Sequence, residues 1–324
     1  MLLAAPSCLK LMTFCYSDAA MLSQDTMARA DLAALVQRLR EPPLAVGLRE
    51  LAELWTFESF RFICARPADM EDYPELAERV RGAFGAALHR QAEPRTLTHR
   101  ARAHPYDVLF SQLPHDIEEM AKPIVIRAWL EGRHLVVELR VFGIAIAWRD
   151  EAANAMVDAL RQGIAIRGAP RALRVCVVPE RVDHGRVSFV DVVSVTGGLI
   201  RFRSPFSVRR HGVKHASPGA VLPAMLGRVA RMAPWQACKL QFPNVRVRAA
   251  MDGALLDVLR WDRVEWQRHT RNRGDVAVPM LGWVGEIRVQ GITEDLAAIL
   301  ALAETCNAGS HAALGMGWFE WLPG

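Results

Sequence analysis

A strand–helix–strand–strand–helix–strand order, read twice along the chain, constrains this sequence more than any other feature. Trp55 to Arg66 carries Phe57, Phe60, Phe62 and Cys64 in loose alternation, which predicts a strand. Asp72 to Ala92 predicts a helix with Leu76, Val80, Ala83, Phe84, Ala87 and Leu88 on one face. Gly82 and Gly85 lower helix propensity there, so they predict close packing against a sheet. Arg95 to Pro114 reads as loop. Lys122–Leu130 and His134–Ile146 predict two strands joined by Glu131-Gly132-Arg133. Asp150–Gln162 predicts a helix stopped by Gly163, and Arg171–Val178 a closing strand.

The second half varies the theme. Val187–Val195 and Leu199–Val208 predict strands around Gly197-Gly198. Val221 to about Leu240 predicts a helix that Pro234 breaks near its end. Leu256–Arg268 and Val284–Val289 predict strands, and Thr293–Cys306 a helix. Trp318–Leu322 predicts a last strand, with Phe319 and Trp321 on one face and Trp318 on the other. The expectation is an α+β chain of two tandem ferredoxin-like (RRM-like, βαββαβ) domains, 47–182 and 183–324. Residues 1–46 are expected to form an N-terminal extension that is partly disordered. This topology hosts many functions and names none.

A glycine-rich stretch, Cys306-Asn-Ala-Gly-Ser-His-Ala-Ala-Leu-Gly-Met-Gly317, joins the last helix to the last strand. It lacks the Lys-Ser or Lys-Thr of a Walker loop, and it follows a helix where a dinucleotide fingerprint would precede one. A helix cap and a tight turn require one glycine, and three stand here.

Net charge is +5, which permits a nucleic-acid partner without requiring one. Its distribution is more telling. Arg201, Arg203, Arg209, Arg210 and Lys214 crowd one stretch without an acid, and Arg260, Arg263, Arg268, Arg271 and Arg273 crowd another against Asp262 and Glu265. Arginine suits bidentate phosphate contact and stacking on bases, although most charge runs are solvated faces. The six cysteines have no C-x-x-C spacing, so no zinc site or disulfide framework is expected. No H-E-x-x-H is present, and His211 and His215 flank a basic loop rather than a helix face. No apolar run is long enough to span a membrane. The apolar start lacks a basic leader and contains Lys10, so a signal peptide is not expected and the reading is cytoplasmic.

Six stretches in order resemble the CRISPR repeat endoribonucleases of the RAMP superfamily, which process precursor CRISPR RNA. Arg81-Gly-Ala-Phe-Gly85 is similar to the family's first-helix motif, and Leu139–Ala145 to its L-x-L-F-G-x-A strand. Phe202–Arg210 is similar to the F-x-T-P strand, and Glu265–Gly274 to the basic R-x-S-x-R-Q-G loop. Gly282-Trp-Val-Gly-Glu-Ile287 is similar to the G-G-x-x-G-E strand. Gly309, Ser310, Gly315 and Gly317 fit the superfamily's glycine loop. The similarity spans roughly residues 55 to 322.

The resemblance implies two ferredoxin-like domains, a CRISPR repeat RNA or crRNA hairpin as partner, and metal-independent cleavage without a cofactor. It also implies an association with other CRISPR effector-complex subunits and no membrane partner. Through the resemblance, Arg201, Arg203, Arg209, Arg210, Arg268, His269, Arg271, Arg273, Gly309, Ser310, His311, Gly315 and Gly317 become RNA-binding candidates. The glycines would let backbone N–H groups approach phosphates. The chain also departs from the family. His311 stands in place of the second loop glycine, Asn307 and Ala86 stand where relatives carry His, and Ala165 stands where relatives carry Gly. The general base is therefore not carried over by position.

Metal-free RNA cleavage uses the substrate's 2′-hydroxyl, a base to take its proton, an acid for the leaving 5′-oxygen and cations for the phosphorane. Histidine has the right pKa for the base. His89, on the polar side of the first long helix, and His104, two residues before Tyr106, are the catalytic candidates, with Tyr106 and Lys122 as helper groups. Each has a bland alternative: a solvated surface residue for His89, an ordinary turn for His104, packing for Tyr106, solvation for Lys122. His269 reads as an RNA contact and His134 as structural. A catalytically silent repeat-RNA-binding subunit fits the same sequence. An unrelated ferredoxin-like metabolic enzyme would need an acidic pair, and none is evident.

Overall fold

The computed structural model describes residues 31–68, 70–91, 103–111, 120–165, 174–210, 213–241, 244–269 and 277–324. Helix α1 (Leu32–Arg40), strand β1 (Leu44–Val46) and helix α2 (Leu48–Leu54) come first. The first domain follows: β2 (Phe57–Ala65), α3 (Leu76–Gln91), β3 (Ile124–Glu131), β4 (His134–Phe142), α4 (Arg149–Gln162), the short β5 (Ile164–Ala165) and β6 (Arg174–Val175), and β7 (Pro179–Val187). The second domain opens with β8 (Gly197–Phe206), β9 (Val208–Arg210), β10 (Val213–His215), α5 (Val221–Met232), β11 (Cys238–Leu240) and α6 (Asn244–Gly253). It closes with β12 (Leu255–His269), β13 (Ala277–Gln290), α7 (Glu294–Cys306) and β14 (Phe319–Pro323).

The two main sheets run β3-β4-β2-β7 and β12-β13-β8-β14, with antiparallel neighbours throughout. In each, the order is second, third, first and fourth main strand of the domain. This is the ferredoxin-like arrangement, found twice as expected. The physical cause is patterning. Phe60, Phe62 and Cys64 alternate inward on β2, while Leu76, Val80, Phe84, Ala87 and Leu88 form the buried stripe of α3. Thr293 caps α7 by accepting the Leu296 N–H at 3.4 Å. Phe319 and Trp321 of β14 are buried while Trp318 faces the other way, toward Trp129.

Several expectations are corrected. The closing strand of the first domain is β7, not 171–178. It pairs with β2 from Phe57↔Val187 to Ile63↔Arg181, so it crosses the expected division at 182/183. Its residues are exposed on both faces of an edge strand, so they carry no alternation to read. Among the described residues of that stretch, Arg174–Val175 is a strand, paired with β5. Of the expected strand at 187–195, Val187 ends β7 and the rest is an irregular link, and β8 starts at Gly197. Residues 1–30 of the expected extension lie outside the described residues, but 31–46 are folded. Asp31 caps α1 through the Ala33 N–H at 2.8 Å, Leu35 and Leu39 are buried, and β1 pairs in parallel with β11. That pairing makes a strand of residues expected to be helical. Gly82 meets nothing close, and Gly85 packs against a ring rather than a sheet.

Where the domains meet, α7 ends with carbonyls that no further helical turn can bond. Three arginines take that place. Arg127 donates to Glu304 O, Arg140 to Thr305 O at 2.9 Å, and Arg228 of α5 to Cys306 O at 3.0 Å. Arg127 and Arg140 come from the sheet of the first domain, so the helix C-terminus of one domain is capped by cations of the other. Arg127 also donates to Asn307 Oδ1 at 2.9 Å and pairs with Glu138 at 3.4 Å. Burial, with repulsion from Arg140, pulls the Arg127 guanidinium down to about 9.

The glycine loop is pressed into the same junction. A Cβ on Gly315 would stand 2.2 Å from the Ala77 Cβ and 2.9 Å from Ile126 O, both in the first domain. At Gly317, with φ +67°, it would stand 1.8 Å from Ala308 O. These glycines are needed because backbone passes where no side chain fits.

Candidate active site

Helix α3 carries Glu78, Arg81, Gly85 and His89 at spacings that place them on one stripe. Across it lies a wide turn, Tyr106–Phe110. Gly85 admits the turn: a Cβ there would stand 2.1 Å from the Phe110 ring. The Arg81 guanidinium sits 4.2 Å from the centroid of that ring. Tyr106 stacks on Phe110 at 5.6 Å, and His89 meets Tyr106 edge-on at 5.1 Å. His104 Nδ1 accepts the Tyr106 N–H at 3.1 Å. The three catalytic candidates, His89, His104 and Tyr106, thus come together although they are up to seventeen positions apart in sequence. His89 is exposed, and Tyr106 and His104 are half-buried.

Cations border this group. Burial first, then repulsion from Arg268, pulls Arg81 down to about 10. Burial first, then repulsion from Arg81, pulls Lys122 down to about 8, with Asp107 opposing. Arg268, on the far reach of the β12–β13 hairpin, pairs with Glu78 at 2.6 Å, and burial raises the Glu78 carboxyl. The hairpin also packs Trp266 and Met280 on Met316 of the glycine loop. A cluster of cations with an ammonium that can lose its proton near neutral pH suits phosphoryl chemistry.

The Lys122 shift has a consequence for stability. Below about pH 8 the folded and unfolded chains both hold the proton, and the folded chain bears the full cost of burying it. As pH rises from about 8 toward the ordinary lysine range, the folded chain sheds the proton first and that cost disappears. Lys122→Met is therefore expected to stabilise the fold by about 1–2 kcal/mol at pH 7. Urea unfolding at pH 7 and pH 10 checks this, since the gain should shrink at the higher pH.

The RNA-binding candidates fall into separate settings. Arg201 and Arg203 project from the face of β8 opposite the buried Ile200 and Phe202. Arg201 pairs with Glu286 at 2.7 Å, and Arg203 with Glu320 at 2.8 Å. This face is therefore mixed in charge rather than bare and basic. Arg209 lies on β9, Arg210 ends β9 and His269 ends β12. Arg271 and Arg273 lie outside the described residues. In the glycine loop, the Ser310 N–H donates to Ser207 O at 2.7 Å, and the Gly317 N–H to Pro205 O at 2.9 Å. Gly309 and Gly315 are buried, and the side chains of Ser310 and His311 are half-buried. His134 opens β4 beside Glu180 at 3.9 Å.

Sequence reading had no view of Arg81, Glu78 and Arg268 as one electrostatic group. The spacing Glu78–Arg81–Gly85–His89 was the available signal. Among the described residues, no group of three or more His, Cys, Asp or Glu is placed to hold a metal ion. Among them, too, no helix is long and apolar enough to cross a membrane.

Residues 200–319 match the family described as CRISPR-associated endoribonuclease Cas6. No curated protein sequence matches the chain. Among solved structures, one Cas6 product complex is similar at 16% identity with a TM-score of 0.52, covering 82% of this chain and 99% of that one. Another Cas6 product complex is similar at 17% identity and a TM-score of 0.50, with coverage of 82% and 99%. Thermus thermophilus Cas6 is similar at 13% identity and a TM-score of 0.51, covering 83% and 99%. At such identities the structural likeness is one of fold. The chain is thus similar to the Cas6 family over most of its second domain, and it shares with Cas6 structures a fold of two ferredoxin-like domains.

Proposed function

We propose that the chain is an endoribonuclease that binds CRISPR repeat RNA and cuts precursor CRISPR RNA without a metal ion, by attack of the substrate's own 2′-hydroxyl. The observation that carries this reading is the meeting of His89 with Tyr106 beside the Arg81–Lys122–Arg268 cations. His89 takes the 2′-hydroxyl proton as O2′ bonds to phosphorus. The P–O5′ bond breaks, and the Lys122 ammonium gives its proton to the leaving 5′-oxygen. The products are a 2′,3′-cyclic phosphate and a 5′-hydroxyl. Tyr106 orients His89 through the ring contact, and His104 holds the turn that carries Tyr106. Arg81 and Arg268 stabilise the phosphorane charge.

Arg209, Arg210, His269, Arg271, Arg273 and the Ser310–His311 tip hold the flanking RNA in this reading, and Arg201 and Arg203 do so once freed from their carboxylates. Affinity then falls steeply with salt. That the two similar Cas6 structures are product complexes supports a chain that keeps hold of its cut RNA; in this reading it then joins an effector complex. A repeat RNA with a single 2′-deoxy nucleotide on the 5′ side of the cut tests the nucleophile. The account expects binding to persist and cutting to stop. Continued cutting overturns it.

A further inference from the structure

Lys122 belongs to the first domain, yet the residues that fix its backbone belong to the second. The Ala121 N–H donates to Arg231 O at 3.2 Å, and the Trp235 indole N–H donates to Ala121 O at 2.8 Å. Both polar backbone groups of the residue before Lys122 are thus satisfied by the end of α5 and the turn after it. On the other side, Pro123 O accepts the Phe142 N–H at 2.9 Å, which ties the next residue to β4. Lys122 is held between two pinned neighbours.

The turn that supplies Trp235 is itself seated firmly. Pro234 ends the helix there, and Trp235 is 1% exposed. A Cβ on Gly143 would stand 1.9 Å from Trp235 O, so the turn lies directly on the first domain. Gln236 closes the contact with both ends of its amide. Its Oε1 accepts from Thr56 N and Oγ1 at 3.0 and 3.1 Å, and its Nε2 donates to Thr56 O at 3.0 Å. Such a buried, fully paired polar network is rigid.

We infer that Trp235 is a positioning residue for RNA cleavage, acting across the domain junction by holding the Ala121–Pro123 segment so that the Lys122 ammonium meets the leaving 5′-oxygen. The inference rests on the proposed role of Lys122. It also gives the domain junction a part in the chemistry: the first domain alone would hold the acid's segment only on its Pro123 side. A displacement of about 1 Å at such a group is enough to cost tens-fold in rate.

The test uses the full chain and two repeat RNAs, one natural and one with sulfur in place of the bridging 5′-oxygen at the cut. A thiolate leaves without being protonated. Lys122→Ala and Trp235→Phe are both expected to slow the natural substrate, Trp235→Phe by about tenfold, and to cut the sulfur substrate at the parent rate. In the Lys122→Ala background, Trp235→Phe is expected to add no further loss. A Trp235→Phe defect that is equal on both substrates, or that multiplies with Lys122→Ala, overturns the inference. A normal Trp235→Phe rate beside a slow Lys122→Ala overturns this inference alone. Full Lys122→Ala activity on the natural substrate overturns the role of Lys122 itself. Should phenylalanine at 235 impair folding, benzothienylalanine keeps the bicyclic shape without the N–H and makes the same test.

Discussion

His89→Ala lowers the single-turnover cleavage rate by about 10²–10⁴-fold while leaving repeat-RNA affinity within about twofold. The side chain is exposed near the end of α3 and contributes nothing to the buried face of that helix. Alanine is the best helix former, so the thermal transition should not move. The loss is then chemical rather than structural. His104→Ala should lose less, because its Nδ1 accepts a backbone N–H and so supports the turn instead of facing substrate. If His104→Ala is the more damaging change and His89→Ala is silent, the base has been assigned to the wrong imidazole. Rate and equilibrium binding measured on the same RNA separate these outcomes.

Arg127→Ala is expected to destabilise the protein by about 2–5 kcal/mol, at about 1–3 kcal/mol for each buried acceptor that loses its donor. Arg127 is 4% exposed and serves Glu304 O, Asn307 Oδ1 and Glu138 together. Truncation leaves Glu304 O and Asn307 Oδ1 without this donor, while Glu138 keeps Arg140 at 2.9 Å. Arg127→Lys should recover little, since a point charge cannot replace a planar fork that reaches three acceptors. Denaturant unfolding measures both. A loss below about 1 kcal/mol for the alanine variant would mean that water replaces the guanidinium at the junction.

The sequence was most legible where one face of an element is buried. The stripe of α3 and the two-sided character of β14 were readable because burial imposes a period. β7 was missed for the converse reason: it is an edge strand with charged residues on both faces, and its pairing with β2 is written in backbone groups. β1 and β11 were missed because each is three residues long and finds its partner across nearly two hundred residues.

At the candidate site, the residue types were legible and the grouping was not. Ala-His-Pro-Tyr106 flagged a turn, but only the Gly85–Phe110 contact explains why that turn lies on α3 beside His89. Arg127, Arg140 and Arg228 look like ordinary charges in sequence. Their role depends on a helix end that lies far from them in sequence. The glycine loop was recognised as more than a cap, and the structure adds a reason: Gly315 sits where the first domain leaves no room for a side chain.

The most direct measurement is to incubate the full chain and its His89→Ala variant with the repeat RNA in EDTA and identify both ends of any product. The account predicts one cut by the parent chain, with a 2′,3′-cyclic phosphate on one fragment and a 5′-hydroxyl on the other, and none by the variant. Tight binding without a cut, or a cut that appears only when a divalent cation is added back, would contradict it.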